Sequence, residues 1–188
     1  MTLFIAGLAL FFAVHLVPTA PALRARWVAA AGEARYRRQF ALLSLAGLAL
    51  VIVGYAIAPR DAQLFAASPR AQSIAPLAMV VSFILLAAAN MKTHLRARLR
   101  HPMLIGVIIW ATVHLLGNGD VKGTLLFGSF LFYAVVDLAS ALGRGAVKPF
   151  VPQHKHDIMA IVGGLIAAAA VMLFHRLLFG VPVVWWSL

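Results

Sequence analysis

The 188-residue chain is 63% hydrophobic and only 11% charged, with 16 Lys and Arg residues against 5 Asp and Glu residues. So few polar residues cannot cover the surface of a soluble domain of this size, and the composition excludes an ordinary soluble protein. The chain has no cysteine, which excludes disulfides, thiolate metal ligands and thioether-bound heme.

Apolar runs long enough to span a bilayer recur along the chain and predict an all-α, polytopic membrane helix bundle. We expect one domain over residues 1–188. The first run, residues 2–17, follows no basic residue and has no small-residue cleavage site, which favours a retained helix over a signal peptide. Prolines and the turn at residues 117–120 separate the later runs. The six predicted transmembrane spans lie near residues 2–20, 40–58, 74–91, 102–117, 121–142 and 158–179.

Basic residues are unevenly distributed among the connections between these spans. The first, third and fifth connections hold twelve of the 16 Lys and Arg residues, and the second and fourth hold three. The positive-inside rule therefore predicts that the odd-numbered connections are cytoplasmic and that both termini lie outside. Trp185 and Trp186 then belong to an outer aromatic belt. Basic clusters beside membrane spans are typical of contact with anionic headgroups, so the lipid bilayer is the expected partner and nucleic acid is not.

Two of the 7 histidines lie well inside apolar sequence. His15 lies in LALFFAVHLVP, and His114 lies in IGVIIWATVHLLG. Ionisable side chains inside a membrane are costly and usually face the bundle interior. Two interpretations stay open: a functional group, or a neutral imidazole hydrogen-bonded between helices.

The depths of the two histidines can be compared, because the first and fourth spans run in opposite directions. At 1.5 Å per residue, His15 lies about 20 Å below the outer end of its helix, and His114 about 18 Å above the inner end. In an apolar core of about 30 Å, these depths differ by at most about 8 Å. The two side chains could therefore meet, or face each other across a flat cofactor. Trp110 lies one turn before His114, and the small Ala111 and Gly117 leave room beside the ring.

Other polar residues allow more than one interpretation. His101 precedes Pro102 at the start of the fourth span, where it could simply begin the helix or bind a headgroup phosphate or the polar end of a substrate. Asn118 lies in the Gly-Asn-Gly-Asp turn and could cap the fourth span.

The remaining polar residues are expected to lie outside the apolar core. We expect His94 to contact lipid headgroups, and the HKHD sequence with His154 and His156 to form a solvated loop. A metal site at His154 and His156 is the alternative, although two loop histidines lack the fixed geometry that transition-metal sites use. Asp137 is expected to pair with a basic residue of a neighbouring loop.

The segment RHPMLIGVIIWATVHLLGNGD, residues 100–120, resembles the most distinctive part of the NnrU family of bacterial inner-membrane proteins. The likeness extends through LLFGSFLFYAVVD and back to RYRRQFALLSLAG and to His15. It implies a multi-pass protein of the bacterial inner membrane, with both termini periplasmic, and an association with denitrification and nitric-oxide metabolism.

Plant relatives of this family, the 15-cis-zeta-carotene isomerases, carry a b-type heme held by histidines. Their ligating histidines match His15 and His114, so the resemblance implies heme b with these two residues as metal ligands. Trp110, His101 and Asn118 are further candidate cofactor-binding residues. The isomerases tend to have a cysteine where this chain has Ala111, so thiolate ligation is not available here.

Three functions stay open. Two neutral imidazole ligands predict a low-spin, six-coordinate iron suited to electron transfer or sensing with a redox partner. The alternative is a heme-dependent isomerase of an apolar polyene such as a carotenoid. A third is an S-adenosylmethionine-dependent membrane methyltransferase, because Arg100-His101-Pro102 resembles the segment with which isoprenylcysteine and phospholipid methyltransferases bind that cofactor. The paired glutamate of those enzymes is missing here.

Overall fold

A computed structural model describes residues 1–59, 62–145 and 149–183 of the chain. Trp185 and Trp186, predicted for an aromatic belt, lie outside the described residues. The described residues form α-helices joined by short connections. The helices are α1 (Thr2–Leu16), α2 (Pro21–Ala31), α3 (Glu33–Ile57), α4 (Pro69–Ala88), α5 (His94–Leu99), α6 (Pro102–Asn118), α7 (Val121–Gly143) and α8 (His154–Phe179).

These helices form a membrane bundle. Helices α1, α3, α4, α7 and α8 are long and apolar enough to cross a bilayer, α1 together with the short 3-10 turn that follows it. Helix α6 is also apolar but has only 17 residues, which gives it a length of about 26 Å. Large apolar side chains such as Leu45, Phe132 and Leu177 point outward and are exposed. An apolar outer surface of this kind fits a lipid environment.

Three helices begin earlier than the hydrophobic pattern predicts, because each has a polar first turn. Helix α3 begins at Glu33 instead of residue 40, and Glu33 pairs with Arg37 one turn later over 2.9 Å. Helix α4 begins at Pro69, where the side chain of Ser68 accepts a hydrogen bond from the Ala71 amide. Helix α8 begins at His154 instead of residue 158, so HKHD is a helical turn and the prediction of a loop there is wrong.

Two short helices within the connections were not predicted. Helix α2 begins with a proline at its first position and ends at Gly32, whose φ of 79° suits glycine. Helix α5 is capped by Thr93, whose hydroxyl accepts a hydrogen bond from the Arg96 amide over 2.9 Å. Both are too short to span a bilayer.

Glycines permit close approach of the long helices. Helix α1 packs along α3, and a Cβ atom at Gly7 would lie 2.6 Å from the Val51 amide nitrogen. Helix α6 packs against both α4 and α7. The buried Ser82 hydroxyl of α4 donates to the Gly106 carbonyl of α6 over 2.9 Å. Tight helix contacts and isolated interhelical hydrogen bonds are typical of membrane bundles.

The connections group at the two ends of the bundle. The Leu64 backbone amide donates to the Gly119 carbonyl over 2.8 Å, which joins the second and fourth connections at one end. The Gln153 backbone amide donates to the Lys92 carbonyl over 2.8 Å, which joins the third and fifth connections at the other end. Odd-numbered and even-numbered connections therefore lie at opposite ends.

Candidate functional site

His15 lies in the last turn of α1 and is half-buried. Its Nδ1 atom lies 2.8 Å from the carbonyl oxygen of Phe11, one turn earlier on the same helix. The imidazole stacks on the Phe11 ring, with the centroids 3.9 Å apart and an interplanar angle of 24°. Phe40 of α3 and Tyr133 of α7 contact the same imidazole. Three helices thus fix the position of this ring.

His114 repeats this arrangement on α6. Its Nδ1 atom lies 2.9 Å from the carbonyl oxygen of Trp110, again one turn earlier. The side chains of Trp110 and Phe127 pack on the imidazole, with ring centroids 5.7 Å and 4.9 Å away. The predicted proximity of Trp110 to His114 is therefore seen in the structure.

These two contacts determine the tautomer of each neutral ring. A carbonyl oxygen only accepts hydrogen bonds, so Nδ1 of His15 and Nδ1 of His114 must each donate. The lone pair of a neutral imidazole is then on Nε2. Neither Nε2 atom has a hydrogen-bond partner among the residues that the structure describes. The Nε2 lone pair of each histidine is thus available to bind a metal ion.

A layer of aromatic rings connects the two histidines. From His15 the contacts run to Phe11, then to Phe130 of α7 at 5.7 Å, and then to Trp110 at 5.3 Å beside His114. The imidazoles lie at either side of this layer, with no ring contact between them in the described residues. A flat ligand bound to both imidazoles would require these aromatic side chains to move aside.

The donor set itself fits heme iron. Two neutral imidazoles with Nδ1–H bonded to a carbonyl and Nε2 available are the usual form of histidine ligands, because the hydrogen bond holds the ring and raises its basicity. The residues that could hold a heme are His15 and His114, with Phe11, Phe130 and Trp110 as its apolar surroundings.

Asn118 and His101 lie elsewhere on α6. The Asn118 side-chain amide donates to the His114 carbonyl over 2.7 Å, so Asn118 supports the last turn of the helix. His101 precedes the first residue of α6, about 18–20 Å from His114 along the helix. The Nε2 atom of His101 is buried and has no partner among the described residues. The structure does not bring the rings of His101 and His114 together, and a cofactor contact of His101 stays a prediction.

Asp137 has a different partner from the predicted one. Among the described residues it accepts a hydrogen bond from the Tyr133 hydroxyl over 3.1 Å and pairs with no basic residue. Because Tyr133 also contacts His15, the carboxylate is linked to that histidine through one side chain.

A second cluster was missed by the sequence analysis. His94, at the start of α5, lies beside His154 and Asp157 in the first turn of α8. The spacing of His154 and Asp157 by three residues, on one helix face, was the available signal. The third residue of the cluster, His94, lies some 60 residues earlier in the chain, and only the fold brings it beside the other two.

Comparison with protein families finds that the model of the NnrU protein matches residues 3–183. No curated protein matches the chain, and no solved structure does. The match covers nearly the whole chain, including His15 and His114 and, apart from Thr2, the helices α1 to α8 of the described residues. The chain therefore belongs to the NnrU family.

Proposed function

We propose that this protein is a membrane heme-b protein with His15 and His114 as axial ligands through Nε2. The observation that carries the proposal is the shared arrangement of the two rings. Each donates Nδ1–H to the carbonyl one turn earlier, and each leaves Nε2 without a protein partner among the described residues.

The chain contributes binding, orientation and an apolar environment. The carbonyl oxygens of Phe11 and Trp110 hold the imidazoles in the tautomer that ligates through Nε2. The aromatic side chains around the imidazoles exclude water, which favours neutral ligands and tunes the redox potential. When bound, heme supplies a one-electron redox couple.

Electron transfer or redox sensing is the activity that this environment supports best. If His15 and His114 both hold the iron, a substrate could bind to it only after one imidazole leaves. A role in nitrogen-oxide metabolism, with a redox partner, is part of the proposal.

The proposal includes a location in the bacterial inner membrane with both termini periplasmic. The odd-numbered connections carry twelve of the 16 basic residues. Contacts between the first connection and the end of α7, such as Ser140 to the Thr19 carbonyl at 2.7 Å, agree with one common end for these connections. By the positive-inside rule, that end faces the cytoplasm.

Four single variants test the ligands: His15→Ala, His114→Ala, His154→Ala and His156→Ala. Each is expressed in heme-replete bacteria, purified in detergent and compared for heme per protein. We expect the first two to lose heme or to convert the iron to high spin, because each removes one axial ligand. The other two are controls outside the proposed site and keep the parent spectrum. Equal heme content in all four would contradict the proposal.

A further inference from the structure

Three metal-ligating side chains converge where α5 and α8 meet. His94 is the first residue of α5, and His154 and Asp157 lie in the first turn of α8. One ligand atom from each, an imidazole nitrogen or a carboxylate oxygen, lies within 4.8 Å of the others. The cluster lies in the third and fifth connections, at one end of the bundle.

The carboxylate of Asp157 is held in place by the loop that it faces. The His94 backbone amide donates to Oδ1 over 2.8 Å, and the His94 Nδ1 donates to Oδ2 over 2.6 Å. The side chain of Asp157 is only 23% exposed. One carboxylate oxygen is thus anchored to the backbone, which orients the other towards the imidazoles.

His154 approaches the same oxygen without bonding to it. Its Nδ1 lies 3.9 Å from Asp157 Oδ2, beyond hydrogen-bond distance. The His154 ring stacks on that of His94, with the centroids 4.6 Å apart. Two imidazole nitrogens therefore face one carboxylate oxygen, and one of them has no hydrogen bond to it.

We propose that His94, His154 and Asp157 form a binding site for a divalent transition-metal ion of the zinc class. Two imidazoles and one carboxylate are a common three-ligand set for Zn²⁺, with water in the remaining position. Calcium and magnesium prefer oxygen ligands throughout, so the histidines exclude them as the preferred ions. The site is independent of the heme proposal.

Small side-chain movements bring the cluster to the geometry of a zinc site. Ligand atoms of a tetrahedral zinc ion lie roughly 3.3 Å apart, from a bond length of about 2.0–2.1 Å. The 2.6 Å contact between His94 and Asp157 has to widen, and the 3.9 Å separation from His154 has to narrow. Zinc takes the place of the proton on the ligating His94 nitrogen, and that proton is released to water. His154 is 92% exposed and is free to turn.

The positive charge around the cluster limits its affinity for zinc. The first turn of a helix carries a partial positive charge, which opposes a cation. Arg96, the basic residue of α5 nearest to His94 in the chain, forms no ion pair with the Asp157 carboxylate. Its guanidinium donates to the Met91 carbonyl over 3.3 Å and lies 5.0 Å from the Phe150 ring centroid. One carboxylate and two neutral rings then favour reversible binding.

Zinc titration of the purified full chain, made without a polyhistidine tag, tests the site. A chromophoric chelator competes for the ion, and thermal unfolding with and without zinc gives a second readout. The test variants are His154→Ala and Asp157→Asn. His154→Ala is the cleaner of the two, because so exposed a side chain contributes little to folding. His156→Ala is the matched control from the same helical turn.

We expect one zinc ion per parent chain, and a loss of about tenfold or more in affinity for His154→Ala and Asp157→Asn. His156→Ala keeps the parent affinity. At the same zinc concentration, the unfolding temperature rises for the parent and for His156→Ala, and rises less for His154→Ala. Equal affinity in the parent and His154→Ala, or an equal loss in His156→Ala, means adventitious binding to surface histidines and overturns the proposal.

Discussion

Gly164 of α8 lies directly against the backbone of Ile84 of α4. A Cβ atom at Gly164 would be 2.6 Å from the Ile84 Cα atom, a distance that real Cβ contacts do not reach. Its neighbour Gly163 faces open space, with no atom within 4 Å of a Cβ atom added there. Two adjacent glycines of one helix thus have opposite packing requirements.

Gly164→Ala should destabilise the bundle, because the methyl group forces α8 away from α4. Overpacking of this kind costs about 1–3 kcal/mol. Gly163→Ala should be neutral or slightly stabilising, because alanine favours the helix. Thermal unfolding of both variants in the same detergent checks the prediction, and a larger loss for Gly163→Ala would refute the α4–α8 contact.

The helices that cross the membrane could be predicted from the sequence because their apolar runs are long. The first residues of these helices could not be predicted from the apolar runs. A polar first turn, such as that at Glu33, belongs to the helix but lies outside the apolar run. The cap at Ser68 and Pro69 was a readable signal for the start of α4.

The candidate site was predictable only in part. Depth along the helices indicated that His15 and His114 lie at similar levels. It could not show that Phe11, Phe130 and Trp110 lie between them, because helix rotation and neighbours are set by tertiary packing. The pairing of His94 with Asp157 could not be predicted from the sequence either, because the two lie 63 residues apart and meet only through tertiary packing.

Asn118→Ala should weaken the end of α6 without affecting heme. Its amide bonds to the His114 carbonyl over 2.7 Å, so its loss should cost about 1 kcal/mol of stability. Unfolding temperature and heme per protein are measured on the same sample. Loss of heme at unchanged stability would instead make Asn118 a direct cofactor contact.

Phe130→Ala tests the aromatic layer. Phe130 is half-buried and contacts Phe11, Phe12 and Trp110, so its truncation should lower the free energy of unfolding by about 1–3 kcal/mol. Heme content should be retained, because Phe130 is no ligand. A loss of heme as complete as that of His114→Ala would contradict this role for Phe130.

The orientation of the bundle is tested by reporter fusions to the C-terminus. With both termini periplasmic, an alkaline phosphatase fusion should be active and a β-galactosidase fusion inactive. A fusion after residue 100, in the predicted cytoplasmic third connection, serves as the control with the opposite pattern. Activity of the C-terminal β-galactosidase fusion alone would reverse the assignment.

The absorption spectrum of the purified parent protein, oxidised and then reduced with dithionite, tests the heme assignment most directly. Ligation by His15 and His114 predicts a low-spin, six-coordinate b-type spectrum in both states, with a sharp α-band on reduction. Protein from heme-replete cells that shows no Soret band, and gains none when hemin is added, would contradict the assignment.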